Sequence, residues 1–424
     1  MQYDIFIVSV RDIIETQKRE LDTIRNEAYV EREIMFDDSA GNLINVIIGP
    51  RRSGKSFYAI HHLKSQGNFA YVNFDDERLI QLRDNDELIS AIDGVYDGCR
   101  TVLFDEIQNL PKWELFVNRL QRQGYRLYIT GSNSNLLSKE LATHLTGRHL
   151  EQTILPFSFR EYLSIQGRVL TGIEKKEHLA TYVMTGGFPE PLIKKINGGN
   201  YLSALFDAII YKDIVRRYRI RFVPEIADLA TYLISTVGNE YSYNALSKVS
   251  SARSIHTVKK YLHYLEETFL FFSIPRFSYK VREQVAFNKK IYCIDNGFIS
   301  SKAIRFSENR GKLYENLVAI SLKSREYNGD TAIYFWKNQE QEEVDFVVQT
   351  GQRIEQLIQV CTDISSKKTY EREIRALLKA GRDLSCTNLL MLTEEEEKTE
   401  ESEWFGLKGT VQYLPLWKWF SESV

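Results

Sequence analysis

The apolar positions of this chain change their period along its length. Short, mostly apolar runs recur through the first 155 residues, at Leu43–Ile48, Thr101–Phe104 and Tyr125–Thr130. Runs of this length, bounded by glycine or polar residues, read as strands buried on both faces. The stretch Ser56–Leu63 reads as a helix, and 145–163 as a short loop, a fifth strand and a helix start. Strand alternating with helix predicts an α/β domain over 1–155, a parallel sheet with flanking helices. Residues 156–220 read as a helical bridge or lid. In it "TGGFPEP" (185–191) is a Gly/Pro turn, with Gly186 and Gly187 serving backbone geometry.

Between 240 and 282 the pattern is helix, turn, helix, apolar strand and the basic stretch "SYKVREQ". Val258, Leu262, Leu265 and Phe269 recur at helical spacing in the second helix. That order predicts a winged helix-turn-helix within 221–285. Residues 286–424 read as an α+β domain, with a helix at 312–322 and strands near 332–338, 342–350 and 353–363. The acidic run "TEEEEKTEESE" (393–403) is expected to be a solvated loop.

Composition narrows the class. The 424 residues, 43% hydrophobic and 26% charged, predict a soluble globular protein of two to four domains. A formal net charge of −2 excludes a global positive field, so any nucleic-acid surface must be local. Cys99, Cys293, Cys361 and Cys386 form no CxxC pair, which excludes familiar zinc modules and points to a reducing compartment. The run Ile5–Val10 is too short for a secretory signal, and no stretch is apolar enough to span a bilayer, so a cytoplasmic location is expected.

The first chemistry lies between the Leu43–Ile48 strand and the following helix, in "GPRRSGKS". Residues Gly49, Pro50, Arg51, Arg52, Ser53, Gly54, Lys55 and Ser56 fit G-x-x-x-x-G-K-[ST]. Glycines let successive N–H groups face one anion, and the helix N-terminus favours negative charge. Lys55 is then expected to reach the β- and γ-phosphates of ATP, and Ser56 to ligate Mg²⁺. A metal-side carboxylate is expected from a neighbouring strand. "TVLFDEIQNL" (101–110) supplies Asp105 for the metal shell and Glu106 as general base. "YRLYITGSN" (125–133) ends in Ser132 and Asn133, either of which can touch the water or γ-phosphate. Arg148 is a candidate for stabilising transition-state charge, in cis or from a neighbouring subunit of a homo-oligomer.

The order GPRRSGKS, LFDEIQNL, LYITGSN, LTGR, LPFSFREYL resembles the prokaryotic AAA-type P-loop ATPases whose C-terminal half is DUF4143, a domain of unknown function related to PD-(D/E)XK nucleases. The resemblance continues through "YVMTGGFPE" (182–190), "YKDIVRRYRI" (211–220), "KKIYCIDNGF" (289–298) and "VQYLPLWKWF" (411–420) and covers nearly the whole chain. It implies an ATPase followed by a restriction-endonuclease-like domain. In such nucleases an Asp on one strand and a Glu-x-Lys on the next hold Mg²⁺ and orient water. Glu315, Asp345 and the strand Ile358–Cys361 occupy the matching places, but Gln359 and Cys361 stand where Glu and Lys belong. An amide is a poor ligand for a hard cation. A degenerate, non-cleaving domain is expected, with Glu355 the one carboxylate through which a migrated site could survive.

Two local basic surfaces remain. "RRYRIR" (216–221) groups Arg216, Arg217, Arg219 and Arg221. The second helix of the winged motif carries Arg253, Ser254, His256, Lys259 and Lys260, suited to DNA contacts. The expected activity is Mg²⁺-dependent ATP hydrolysis driving a switch or motor on a macromolecule, with DNA as the candidate partner. The alternatives are an ATP-gated signalling or assembly protein without nucleic acid, and an active nuclease, which Gln359 and Cys361 argue against.

Overall fold

The computed structural model describes residues 9–36, 41, 43–82, 84–133, 148–252, 254–303, 310–329, 331–362 and 366–422. The chain divides into two compact units, Met1–Leu155 and Pro156–Val424.

In the first unit, helix α1 (Val10–Ile24) begins at a capping box in which Ser9 and Asp12 satisfy each other's backbone N–H groups. Strand β1 (Ile44–Ile48) leads into helix α2 (Lys55–Gln66). Then come β2 (Ala70–Asn73), α3 (Asn85–Val95), β3 (Thr101–Asp105), α4 (Trp113–Arg122), β4 (Arg126–Gly131) and β5 (His149–Thr153). The five strands form one parallel sheet in the order β2-β3-β4-β1-β5. The arrangement fits a P-loop NTPase. Central strands are apolar on both faces because helices cover both sides, and Ile47, Leu103 and Tyr128 share a core with Leu21, Ala59, Ile60 and Leu63.

Helix α1 is absent from the pattern read above. Its buried Gln17 donates to the Asn73 carbonyl at 3.0 Å and accepts from the Asn73 N–H at 2.9 Å. One side chain thereby satisfies both backbone groups at the end of edge strand β2, a position open to unwanted pairing.

The second unit opens with helices Phe159–Ser164, Gly172–Thr185, Pro189–Lys194 and Gly198–Ala208, the last running into a π-helix, Ile209–Arg216. Next come helix Val223–Ser235, strand β6 (Glu240–Tyr241), helices Tyr243–Val249 and Ile255–Glu267, strand β7 (Phe271–Pro275), helix Val281–Ala286 and strand β8 (Lys289–Cys293). The strands form a small antiparallel sheet ordered β6-β8-β7. The basic stretch expected as a loop thus contains a short helix.

After helix Asn296–Lys302, helix Arg310–Tyr327 precedes strands β9 (Thr331–Lys337), β10 (Glu343–Thr350) and β11 (Arg353–Val360), then helix Lys367–Asp383 and β12 (Leu389–Thr393), β13 (Lys398–Trp404) and β14 (Leu407–Pro415). Their sheet runs β13-β14-β12-β11-β10-β9. The acidic run does not stay a loop: Lys398–Trp404 pairs antiparallel with β14 as the edge strand. Lys, Thr and Ser interrupt its glutamates, and cations offset the charge: Lys398 pairs with Glu400 at 2.9 Å and Lys408 with Glu403 at 3.3 Å. Charged side chains are suited to an edge strand.

Two family motifs meet in this unit. The Asp295 carboxylate accepts from the Gly187 N–H at 2.7 Å and from the Gly297 N–H at 2.8 Å. Gly186 has φ +71, and a Cβ there would lie 1.9 Å from an Asp295 oxygen. The glycine is needed because the carboxylate sits against the backbone. Burial pushes Asp295 up to about 7, against the lowering effect of those N–H donors.

Candidate functional site

Because the sheet is parallel, the carboxyl ends of β1, β3, β4 and β5 converge on one edge. The 49–56 loop leaves β1 there. Gly49 has φ +147, and a Cβ would lie 2.1 Å from the Ile154 carbonyl, so the turn is closed to other residues. Arg52 and Gly54 are left-handed at φ 67 and 95. Gly54 caps α2 without a side-chain hydrogen bond, leaving the first-turn N–H groups of α2 for another acceptor. Lys55 is buried, with Nζ donating to the Pro50 carbonyl at 2.8 Å. Arg51 pairs with Asp75 at 3.5 Å. The Ser53 hydroxyl is buried with no hydrogen-bond partner among the described residues. A cradle of backbone donors, a buried lysine and an orphaned hydroxyl fit a polyphosphate.

Ser56 Oγ donates to Asp105 Oδ1 at 2.8 Å. Asp105 also accepts from Tyr71 Oη at 3.0 Å and from Thr130 Oγ1, which in turn accepts the Glu106 N–H at 3.0 Å. Burial and the neighbouring Glu106 charge push Asp105 up, and its three hydroxyl donors oppose them. Glu106 has left-handed backbone, φ 50, a strained conformation for a non-glycine residue. Its Oε2 accepts from Gln108 Nε2 at 2.5 Å and from Ser132 Oγ at 3.1 Å. Burial alone would raise its pKa, but the Lys55 charge, Gln108, Arg51 and Ser132 together hold it below the usual carboxylate range. Two adjacent carboxylates are thus treated oppositely, the arrangement expected where each has its own task.

Residues 41–163 match the AAA domain family AAA_14, residues 176–309 a domain of unknown function, DUF8612, and residues 310–419 another, DUF4143. Uncharacterized protein MJ1544 of Methanocaldococcus jannaschii is 35% identical over 399 residues, covering 89% of this chain and 88% of that one. The chain belongs to this AAA-domain family. An uncharacterized protein of Haemophilus influenzae is 30% identical over 371 residues, covering 82% and 89% of the two chains. A solved structure, the Walker-type ATPase PABY2304 of Pyrococcus abyssi, is similar at a TM-score of 0.44 and 14% identity, over 66% of this chain and 100% of that one.

Within the AAA domain the structure brings Lys55, Ser56, Asp105, Glu106 and Ser132 together. Ser132, read as a group facing water or phosphate, instead holds Glu106. Asn133 is buried beside it in sequence. Arg148 is not part of the cluster. It stands at the amino end of β5, where its carbonyl accepts from Ile44 N at 3.0 Å, and it shares a pocket with Leu43, Gln121 and Arg122. The five residues of β5 put it roughly 15 Å from the loop edge, so the cis role is corrected: the parallel direction of β5 carries its start away from the site.

Sequence reasoning missed three contributors. Buried Arg32 donates to the Ser53 carbonyl at 3.0 Å and to the Leu155 carbonyl at 2.5 Å, bracing the loop against the exit of β5. Thr130 and Tyr71 hold Asp105. Nothing local to any of the three marks them, although Thr130 lies just before the small polar run that was noticed.

In the DUF4143 region, Glu315 and Asp345 lie together as the strand order suggested, but an unforeseen cation joins them. Lys290, from β8 and only 1% exposed, sits 3.1 Å from Glu315, 2.5 Å from Glu343 and 3.3 Å from Asp345. Burial would discharge it, but the carboxylates outweigh that and hold it charged. Gln359 is engaged on both sides: its Oε1 accepts from Asp345 N at 3.1 Å and its Nε2 donates to Glu373 at 2.7 Å. Glu355 is exposed near the β10–β11 turn and accepts from Thr350 at 2.7 Å, so it does not reach Asp345. Among the described residues no group of three or more His, Cys, Asp and Glu side chains is arranged to hold a metal.

His256, Lys259 and Lys260 are exposed on helix Ile255–Glu267, and Lys259 lies over the Tyr243 ring at 4.9 Å. Arg253 lies outside the described residues. No helix among the described residues is long and apolar enough to cross a membrane.

Proposed function

We propose that the chain is a Mg²⁺-dependent ATPase acting as a nucleotide-driven switch or motor. Residues 49–56 hold the triphosphate, Lys55 faces its β- and γ-phosphates, and Ser56 with Asp105 holds Mg²⁺. Bound Mg²⁺ supplies charge neutralisation to the phosphate oxygens. Glu106 accepts the proton of the attacking water at Oε1, since Oε2 is already taken by Gln108 and Ser132. The observation carrying this reading is the 2.8 Å bond between Ser56, at the end of the phosphate loop, and Asp105, with Glu106 ionised beside it. Calorimetry of ATP with Mg²⁺ tests it: the wild-type chain binds, and Lys55→Ala loses binding by tenfold or more. Equal affinity in the variant would remove the loop from the account.

The partner we propose is DNA, held by the winged helix read at residues 221–285, with β8 (Lys289–Cys293) completing its sheet. Its support is the order of helix, β6, two helices and the β7–β8 hairpin, with His256, Lys259 and Lys260 exposed on the second of the paired helices. We further propose that residues 286–424 are a nuclease-like domain without cleavage. A helix, three antiparallel strands, a helix and a parallel strand support the likeness; buried Lys290 among the carboxylates and the engaged Gln359 support the lack of cleavage. Asp345-dependent nicking of supercoiled DNA would contradict it.

A further inference from the structure

The motif "YKDIVRRYRI" (211–220) plays no part in the sites above. Its first half continues the π-helix, a rare form often found at functional positions. The helix buries Ile209, Ile210 and Ile214. It closes through Tyr218 N to the Ile214 carbonyl at 2.9 Å and Ile220 N to the Val215 carbonyl at 3.0 Å, and Arg219 turns the chain in left-handed backbone, φ 50. The apolar face is therefore used internally, while Arg216, Arg219 and Arg221 are exposed.

Arg11, Arg78, Arg168 and Arg382 each pair with a carboxylate a few residues away. Among the described residues no hydrogen bond or ion pair engages the guanidinium of Arg216, Arg219 or Arg221. The carboxylates nearby are occupied: Glu267 is buried and accepts from Tyr218 and pairs with His263, and Glu225 accepts from Tyr261. Three like charges within six residues repel one another without local neutralisation, which suits a surface completed by an external polyanion.

The segment is joined to the exposed helix cations. The Tyr218 ring stacks on Tyr264 at 3.6 Å with an interplanar angle of 8°, and Lys260 Nζ is 5.8 Å from the same Tyr264 ring. The arginines therefore continue the surface of Lys259 and Lys260. Tyr211, 52% exposed, flanks them and offers a ring face on which a base can stack. A membrane-lying helix needs a broad exposed apolar face, and here that face is buried.

Resting on the DNA partner proposed above, we infer that Arg216, Arg219 and Arg221 form a second nucleic-acid contact, binding the phosphate backbone beside helix Ile255–Glu267 through a surface linked by the Tyr218–Tyr264 stack. Fluorescence anisotropy of the full chain with a short labelled duplex and with its single strand, across a salt series, tests this. The triple variant Arg216→Gln, Arg219→Gln, Arg221→Gln is expected to lower the log–log salt slope on duplex by about 2.7, one counterion term per arginine, and the triple lysine variant to restore it. Thermal midpoints should match the wild type, since no hydrogen bond or ion pair among the described residues engages the three guanidiniums. An unchanged slope in the Gln variant, alongside weakened binding in Lys259→Ala with Lys260→Ala, overturns the arginine site and leaves the DNA partner standing. A wild-type chain that binds neither nucleic acid overturns both. Binding to phosphatidylserine/phosphatidylcholine vesicles, lost in the Gln variant and unaccompanied by DNA binding, assigns the arginines to a membrane instead.

Discussion

Asp295 sits where two motifs separated by about a hundred residues meet, and its protonation should be visible in stability. Its folded pKa, about 7, lies above the usual unfolded value near 3.9. The folded state therefore holds the extra proton between those values, and the stability it contributes is present below about 4 and lost as pH rises through about 7. Asp295→Asn removes the titration and leaves one of the Gly187 and Gly297 N–H groups without its oxygen, at a cost of about 1–3 kcal/mol. The expected result is a destabilised variant whose deficit shrinks from pH 4 to pH 7 in paired denaturant titrations. A constant deficit would mean that Asp295 does not titrate in that window. Asp295 and its glycines were visible in the sequence as motifs, but their contact was not, because a hundred residues separate the partners. Lys290 is a similar case. It reads as one of two adjacent lysines in a strand, and only the fold carries it to Glu315 and Asp345, 25 and 55 residues away. The phosphate loop was legible because its eight residues are contiguous and their spacing alone specifies the turn.

At the scale of elements, β1, β3 and β4 could be read because each is a short, mostly apolar run buried along most of its length and followed by small or polar residues. Helix α1 was not, since its buried face is Ile13, Ile14, Leu21 and the polar Gln17, too sparse an apolar stripe to mark a helix. The acidic strand β13 was misread because a run of glutamates resembles a solvated loop; pairing with β14 and its own cations overrides that composition. The direction of β5 decides what Arg148 can do. Standing at the amino end, it faces away from its own phosphate loop, so we propose that it serves a neighbouring subunit. Specific activity is then expected to rise with protein concentration, and a mixture of Arg148→Ala and Glu106→Gln chains to recover part of the hydrolysis that each lacks. Activity linear in concentration, with no recovery on mixing, would leave Arg148 without a role in the reaction.

For the whole molecule, the phosphate loop lies in the first compact unit and the DUF4143 residues in the second. The central claim is that ATP is hydrolysed at the 49–56 loop with Glu106 as base. Glu106→Gln keeps the shape of the site and its contacts with Gln108 and Ser132 within reach of an amide, but removes the proton acceptor. The most direct test is to measure ATP binding and steady-state phosphate release side by side in the wild type and Glu106→Gln. The account predicts ATP affinity within a few-fold of wild type and turnover lower by about 10²–10⁴. Phosphate release at the wild-type rate in the variant would contradict it.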